Sequence, residues 1–225
     1  MHEFFCCAKI SSMAMVRNYS KELNKLMESL QRDGKRPSLL LHACCAPCSS
    51  AVLEQLTECF EVSVFFYNPN ISPQSEFTKR EDELERLIRE MPAARDTKMI
   101  KTTYDPSAFY DAVRGMEDIP EGGERCFVCY RIRLEAAAKY AAEHGFDYFT
   151  STLSISPLKN AAKLNEIGEE LAKIYNVPHL PSDFKKKDGY KRSIILSKEY
   201  DLYRQDFCGC VFSKREREIK NGSNT

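Results

Sequence analysis

Seven of the ten cysteines stand in three tight groups: Cys44, Cys45 and Cys48; Cys126 and Cys129; Cys208 and Cys210. The first lies in Ser38-Leu-Leu-Leu-His-Ala-Cys-Cys-Ala-Pro-Cys-Ser-Ser50. A short apolar run there leads into three thiols around Pro47, and a helical pattern follows. Thiols on a strand-to-helix turn gain from the helix dipole, which lowers a thiol's pKa. Cys126-Phe-Val-Cys129 puts two sulfurs on one face of a first helical turn, because residues i and i+3 are neighbours there. A single pair of this spacing suits zinc, an iron–sulfur centre or thiol redox work. Joined to a second thiol cluster, it signals a four-sulfur site, which iron–sulfur clusters and tetrahedral zinc both accept. The adjacent pair Cys44-Cys45 favours a bulky cluster, because neighbouring side chains diverge too far to share one small ion easily. Cys208-Gly-Cys210 differs, since Gly209 lets the backbone bring the two sulfurs together. A disulfide across one residue closes a strained, easily reduced ring, which suits a cycling electron donor. Two further metal ligands are the alternative for this pair.

The elements that hold these groups follow from the hydrophobic pattern. Ser38 to Ala43 reads as strand one and Ser49 to Thr57 as a helix. Glu61 to Tyr67 alternates and is β-branched and aromatic, so it reads as strand two; a charged helix follows from Gln74 to Glu90. Thr97 to Thr103 is a third strand, and Asp105-Pro106 starts a short helix reaching Gly115. The Gly-rich loop Glu121-Gly-Gly-Glu-Arg125 opens a long helix that ends at His144-Gly145. Strand four covers Asp147 to Ser151, followed by a hydroxyl-rich loop, Thr150 to Pro157, and a helix from Asn160 to Tyr175. Val177 to Leu180 is a short fifth strand, and Tyr190 to Arg204 is helical. Strands alternating with helices predict an α/β domain with a parallel sheet flanked by helices. In such sheets ligands bind beyond the carboxyl ends of the strands, where the cysteine turn lies. Residues 1–36 read as an extension with helical spacing from Tyr19 to Leu30, residues 37–212 as one catalytic domain, and residues 213–225 as a charged tail.

Composition narrows the setting. The 225 residues are 43% apolar and suffice for one substantial core. With 33 basic and 33 acidic residues there is no global field for nucleic acid, so any polyanion is held by a local patch. No run reaches the ~18 apolar residues of a membrane span. The first residues lack a basic start and a long apolar core, so no secretory signal is read there, and a reducing cytoplasmic location is expected. Cys6 and Cys7 read as incidental thiols. His42 reads as a core or cavity-lining histidine and His144 as a favourable charge at a helix end. Arg125, Tyr130, Arg131 and Arg133 default to the surface, although Arg131 and Arg133 do not both face outward easily. Lys185-Lys-Lys-Asp-Gly-Tyr-Lys-Arg192 is the best candidate for phosphate contacts.

Five stretches in order resemble one family, covering about Pro37 to Phe212: Leu40-Leu-His-Ala-Cys-Cys-Ala-Pro-Cys-Ser49, Phe66-Tyr-Asn-Pro-Asn-Ile71, Pro120-Glu-Gly-Gly-Glu-Arg-Cys-Phe-Val-Cys-Tyr-Arg-Ile-Arg-Leu134, Thr150-Ser-Thr-Leu-Ser-Ile-Ser-Pro-Leu-Lys-Asn160 and Leu202-Tyr-Arg-Gln-Asp-Phe-Cys-Gly-Cys210. Together they resemble the cobalamin-independent epoxyqueuosine reductases of the QueH type. The resemblance implies a fold like that of the nucleotide alpha-hydrolases, related to the PP-loop enzymes. It implies the last step of queuosine formation, in which epoxyqueuosine at the tRNA wobble position loses its epoxide oxygen and becomes an alkene. It further implies a [4Fe-4S] cluster on Cys44, Cys45, Cys126 and Cys129, a redox-active pair at Cys208 and Cys210, and an external electron donor. Some relatives carry Asp at the position of Cys48, beside an additional mononuclear iron, so the resemblance makes Cys48 a candidate ligand of a second iron.

The residue chemistry agrees with that reaction. Loss of an epoxide oxygen takes two electrons and two protons, and a dithiol supplies two electrons. The target base belongs to structured RNA and must be splayed from the anticodon loop. Two other readings compete. A PP-loop sulfur transferase would need a Gly-rich phosphate loop after strand one, where this chain has Cys-Cys-Ala-Pro-Cys-Ser. A zinc-stapled RNA-binding module would bind zinc and no iron.

Overall fold

The structure is a computed structural model that describes residues 17–222. The pair Cys6 and Cys7 lies outside the described residues. Four parallel strands, β1 (Ser38–His42), β2 (Glu61–Phe66), β3 (Lys98–Lys101) and β4 (Tyr148–Ser151), form one sheet in the order β3-β2-β1-β4. The helices are α1 (Tyr19–Arg32), α2 (Ala46–Leu56), α3 (Gln74–Glu90), α4 (Ser107–Ala112), α5 (Glu124–Glu143), α6 (Ala161–Tyr175), α7 (Gly189–Glu199) and α8 (Val211–Gly222). This is the parallel, helix-flanked α/β architecture that the alternating pattern predicts, of the Rossmann-like type.

Side chains alternate across a strand, so the leucines of β1 divide between two cores. Leu39 and Leu41 pack with residues of α1, α2 and α3 on one side. Leu40 packs on the other side with Leu134, Ala137, Ala138 and Ala141 of α5 and Leu164, Ile167 and Leu171 of α6. Small alanines on α5 allow its backbone to approach the sheet. Helix α1 contributes buried Leu23, Met27 and Leu30 to the first core.

The strand order places a reversal between β1 and β4. The chain leaves β1 toward β2 and β3, then returns to pair β4 with the other edge of β1. Crevices form beyond strand ends at such points. The register sets His42 beside Phe65 on one neighbour and Ser151 on the other, so the loops after β1 and β4 leave the sheet side by side.

Several elements differ in extent from the pattern reading. Helix α2 starts at Ala46, three residues earlier, because Pro47 sits in the first turn, where its missing N–H is harmless. Cys48 is therefore helical. The third strand shortens to Lys98–Lys101, and α4 stops at Ala112 before turns reach Gly115. The fifth strand reduces to one bridge between Phe149 and His179. The charged segment after Ser213 continues a helix, α8, that starts at Val211. It docks through Phe212, over which the Arg125 guanidinium lies at 4.3 Å, and through Glu216, which accepts from Arg125 Nη2 at 3.1 Å.

Candidate cysteine-lined active site

Cys44 and Cys45 occupy the junction between β1 and α2, and Cys48 lies on the first turn of α2. Extended backbone at Cys45, the N-cap residue, turns its sulfur back toward its neighbours. The three Sγ atoms lie within 4.8 Å of one another, and Cys44 and Cys45 sulfurs are 3.8 Å apart. Three thiols this close do not ionise independently. Hydrogen bonds from Cys44 and Cys48, aided by the charge of Arg80, hold Cys45 well below the usual thiol range. The same bonds push Cys44 and Cys48 up.

Helix α5 brings the second group. Gly123 caps it in an extended conformation, and Cys126 Sγ accepts the Gly122 N–H at 3.3 Å. Burial pushes the Cys126 thiol up and the Cys129 thiol to about 12. The third group lies between α7 and α8. Gly209 has φ of 123°, a conformation that L side chains rarely adopt. The loop is tied at both ends. Buried Arg80 donates to the Cys208 carbonyl at 3.1 Å while pairing with Glu76 at 2.7 Å, and the Ser72 N–H donates to the Gly209 carbonyl at 2.9 Å. Beyond the loop, the Ser213 hydroxyl, in the first turn of α8, donates to the Cys210 carbonyl at 3.0 Å. All cysteines among the described residues are free thiols.

Two adjoining cavities collect these groups. The larger, of about 400 Å³, is lined by Cys44, Cys48 and Cys208, with Leu153, Ile155 and Pro157 as an apolar wall. Its volume falls in the range of small-ligand sites. Exposed Leu158 and Tyr190, with Arg204 and Arg217, border it on the outside. The smaller gap, of about 10 Å³, is lined by Cys126, Cys129, Cys208 and Cys210. Arg133, Lys159, Glu121 and Cys208 line both. Among the described residues, the group of three or more ligand atoms within 4.8 Å of one another is Cys44, Cys45 and Cys48. Cys126 and Cys129 do not join it at that distance; they share their gap with Cys208 and Cys210.

Buried cations separate the sulfur groups. Arg133 is 1% exposed; burial disfavours its charge, but the sulfurs of Cys129, Cys208 and Cys44 outweigh burial and raise its pKa. Its Nε donates to the Cys129 carbonyl at 3.1 Å, while its Nη2 has no partner. The Tyr130 hydroxyl, also lining the smaller gap, is likewise without one. Buried donors without acceptors are costly. An anionic, sulfur-rich group between the cysteines would satisfy both donors and balance the cations. The donor set, all thiol, therefore fits a thiolate-ligated metal centre.

The surface reading of the residues around the Cys126 pair is overturned for three of the four. Arg125, Tyr130 and Arg133 are buried, and only Arg131 faces outward, where it pairs with Glu170. For Tyr130 and Arg133 the reason is helical spacing: positions 126, 129, 130, 133 and 137 form one inward stripe; Arg125 is instead covered by Phe212 and Glu216 of α8 and the Ile119 carbonyl. The spacing itself carried this signal. His42 was read as a core or cavity-lining histidine, and it is the former: fully buried, with both ring nitrogens satisfied. Its Nε2–H donates to the Tyr67 carbonyl at 3.0 Å, Nδ1 accepts from the Ser151 hydroxyl at 2.8 Å, and burial lowers its pKa to about 4. His144 caps α5, its Nδ1 at 2.9 Å from the Tyr140 carbonyl. In the basic run, Arg192 is taken by Glu54 and Lys185 by Asp183, which leaves Lys186, Lys187 and Lys191 exposed. Residues not singled out by sequence are Lys159, Glu121 and Arg80. Arg80 shares the apolar stripe of Phe77, Leu84 and Leu87 on α3, which is a visible signal; for Lys159 and Glu121 the only signal was their place in two of the family-like stretches.

Among the described residues, no helix is long and apolar enough to cross a membrane. Residues 39–216 match the family model described as epoxyqueuosine reductase QueH. Proteins named epoxyqueuosine reductase QueH are similar over most of the chain. That of Staphylococcus epidermidis is 45% identical over 206 residues, covering 90% of this chain and 87% of the relative. That of Staphylococcus aureus is 43% identical over 206 residues, covering 90% and 86%. That of Streptococcus pyogenes serotype M1 is 41% identical over 204 residues, covering 90% and 80%. With its three cysteine groups gathered beyond the ends of β1 and β4, this chain belongs to the epoxyqueuosine reductase QueH family of oxidoreductases.

Proposed function

We propose that this protein reduces the epoxide of epoxyqueuosine at the wobble position of tRNA, giving queuosine, in the cytoplasm. The observation that carries the reading is the gathering of three thiol groups around two adjoining cavities of about 400 Å³ and about 10 Å³, with Cys208 lining both. We assign a [4Fe-4S] cluster to Cys44, Cys45, Cys126 and Cys129, a second iron to Cys48, and the redox-active pair to Cys208 and Cys210. Support for the cluster comes from the all-sulfur donor set and from the unpartnered donors of Arg133 and Tyr130 between its halves. Support for Cys48 comes from its place within 4.8 Å of Cys44 and Cys45. When bound, such a centre passes electrons singly and offers iron as a Lewis acid toward oxygen.

The protein's own groups supply the rest. The splayed nucleoside enters the larger cavity against Leu153, Ile155 and Pro157. Arg204 and Arg217 at its border face the adjoining phosphates. Cys208 and Cys210 give up two electrons as they join, and an external donor restores them. The apolar wall keeps water from the reacting carbons. Incubating epoxyqueuosine-containing tRNA with the reduced protein and analysing the nucleosides tests the reaction: queuosine should appear, and its absence rejects the assignment. Anaerobic purification tests the centre. Coloured protein with iron is expected, whereas colourless protein with stoichiometric zinc and no iron would reject a reductase in favour of a zinc-stapled module.

A further inference from the structure

We propose that Lys159 is the proton carrier of the reduction, delivering one proton to the oxygen that leaves the substrate as Cys208 is oxidised. The inference rests on the reading of Cys208 and Cys210 as the redox pair. Lys159 is 7% exposed, and its Nζ stands 3.0 Å from Cys208 Sγ and 3.1 Å from Glu121 Oε1. Three residues from separate parts of the chain meet there, on the wall shared by both cavities. An ammonium has three donors, and two have partners, so one N–H remains for an acceptor in the cavity. Arg133, Arg204 and Arg217 also line the larger cavity, but a guanidinium does not release its proton. Among the described residues no histidine lines it, so there Lys159 is the one nitrogen acid on its wall that can release a proton.

The environment couples this proton to the electrons. Burial opposes the charge on Lys159, and Cys208 is the largest of the groups that restore it, ahead of Tyr130 and Glu121. Oxidation of Cys208 removes that partner and leaves the buried ammonium with Glu121 as its ion-pair partner and Tyr130 nearby. The balance is as follows. Lys159, in contact with Cys208 at 3.0 Å, and Cys210 each supply one of the two protons. Forming the S–S bond releases the two electrons. Both C–O bonds of the epoxide break, the alkene forms, and oxygen leaves as water with one proton from Lys159 and one from Cys210. An external dithiol then reduces the disulfide; its two protons return to Lys159 and Cys210.

The test is a single turnover of pre-reduced, full-length protein on epoxyqueuosine tRNA, read by nucleoside analysis, for Lys159→Ala, Lys159→Arg and Cys208→Ser. General acid catalysis contributes about 10²–10⁴-fold, so Lys159→Ala should slow turnover by that order while melting as the wild type does. Added methylamine or ethylamine should restore part of the rate in Lys159→Ala, because a free ammonium then replaces the missing one. Lys159→Arg keeps the charge but not the exchangeable proton and should stay as slow as Lys159→Ala. Wild-type rates in either variant, or no restoration by either amine, overturn the proposal. If Cys208→Ser turns over normally, the redox-pair reading fails instead, which separates the two.

Discussion

Replacing Gly209 by alanine should loosen the loop that carries Cys208 and Cys210. At φ of 123° the backbone lies where an L side chain is strained, at about 1–3 kcal/mol for a residue held in such a region. Space is short as well. The new Cβ would lie 3.0 Å from Ile71 Cγ1 and 3.1 Å from Arg80 Nη1. Neither neighbour yields easily: Ile71 is fully buried, and Arg80 is held by Glu76 and by the Cys208 carbonyl. Overpacking of this kind adds about 1–3 kcal/mol, so a rigid loop would lose roughly 2–6 kcal/mol. Relaxation by swinging the loop away lowers that cost but breaks the Arg80 and Ser72 contacts and moves Cys208 from Lys159. At roughly 2–4 °C per kcal/mol for a chain of this size, thermal unfolding should shift down by about 4 °C or more. Mass spectrometry of protein oxidised by a mild disulfide should show the Cys208–Cys210 link forming at a changed rate. A variant that melts within about 1 °C of the parent and oxidises identically would refute the argument from this loop's geometry.

Other outcomes follow from the same contacts. Cys208→Ser and Cys210→Ser should each abolish turnover while visible absorbance and iron content persist; loss of iron instead would make these cysteines ligands. His179, buried with a folded pKa lowered to about 3 by burial, takes up its proton in the unfolded chain first as pH falls below 6.5. Stability that it contributes near neutrality is therefore lost on acidification, by roughly 2–3 kcal/mol two pH units below that value. His179→Phe should flatten this acid slope in urea unfolding, and an unchanged slope would refute it. Leu23→Ala on α1 should cost about 2–5 kcal/mol by leaving a cavity in the first core, measured by the same unfolding; an effect under ~0.5 kcal/mol would show that α1 is not part of that core.

Much of this was legible in the residues because it is local. A strand is readable from Leu39 to Leu41, and a ligand turn from Cys44 to Cys48. The stripe that turns Arg133 inward is written in the spacing from Cys126 to Ala137, yet charge alone suggested the surface. A buried arginine is uncommon unless its partners are buried too, and those partners are the sulfurs of its own helix neighbour Cys129 and of Cys208 and Cys44 from other segments. Lys159 was hidden for the same reason: its meaning comes from Glu121 and Cys208, 38 and 49 residues away in the chain. Helix α8 was taken for a tail because ten residues of mixed charge carry little apolar signal. It is anchored by Phe212 and by Arg125, contacts that only the fold brings together.

Cys208 borders the larger cavity and Cys210 only the smaller gap. Under the proposed function, the substrate and the agent that regenerates the thiols would share one doorway, the side bordered by Leu158 and Tyr190. They would have to take turns. Product RNA would depart before the disulfide is reopened, so steady-state plots of rate against tRNA at several donor concentrations should be parallel lines, and a large excess of tRNA should slow the enzyme by blocking its own recharging.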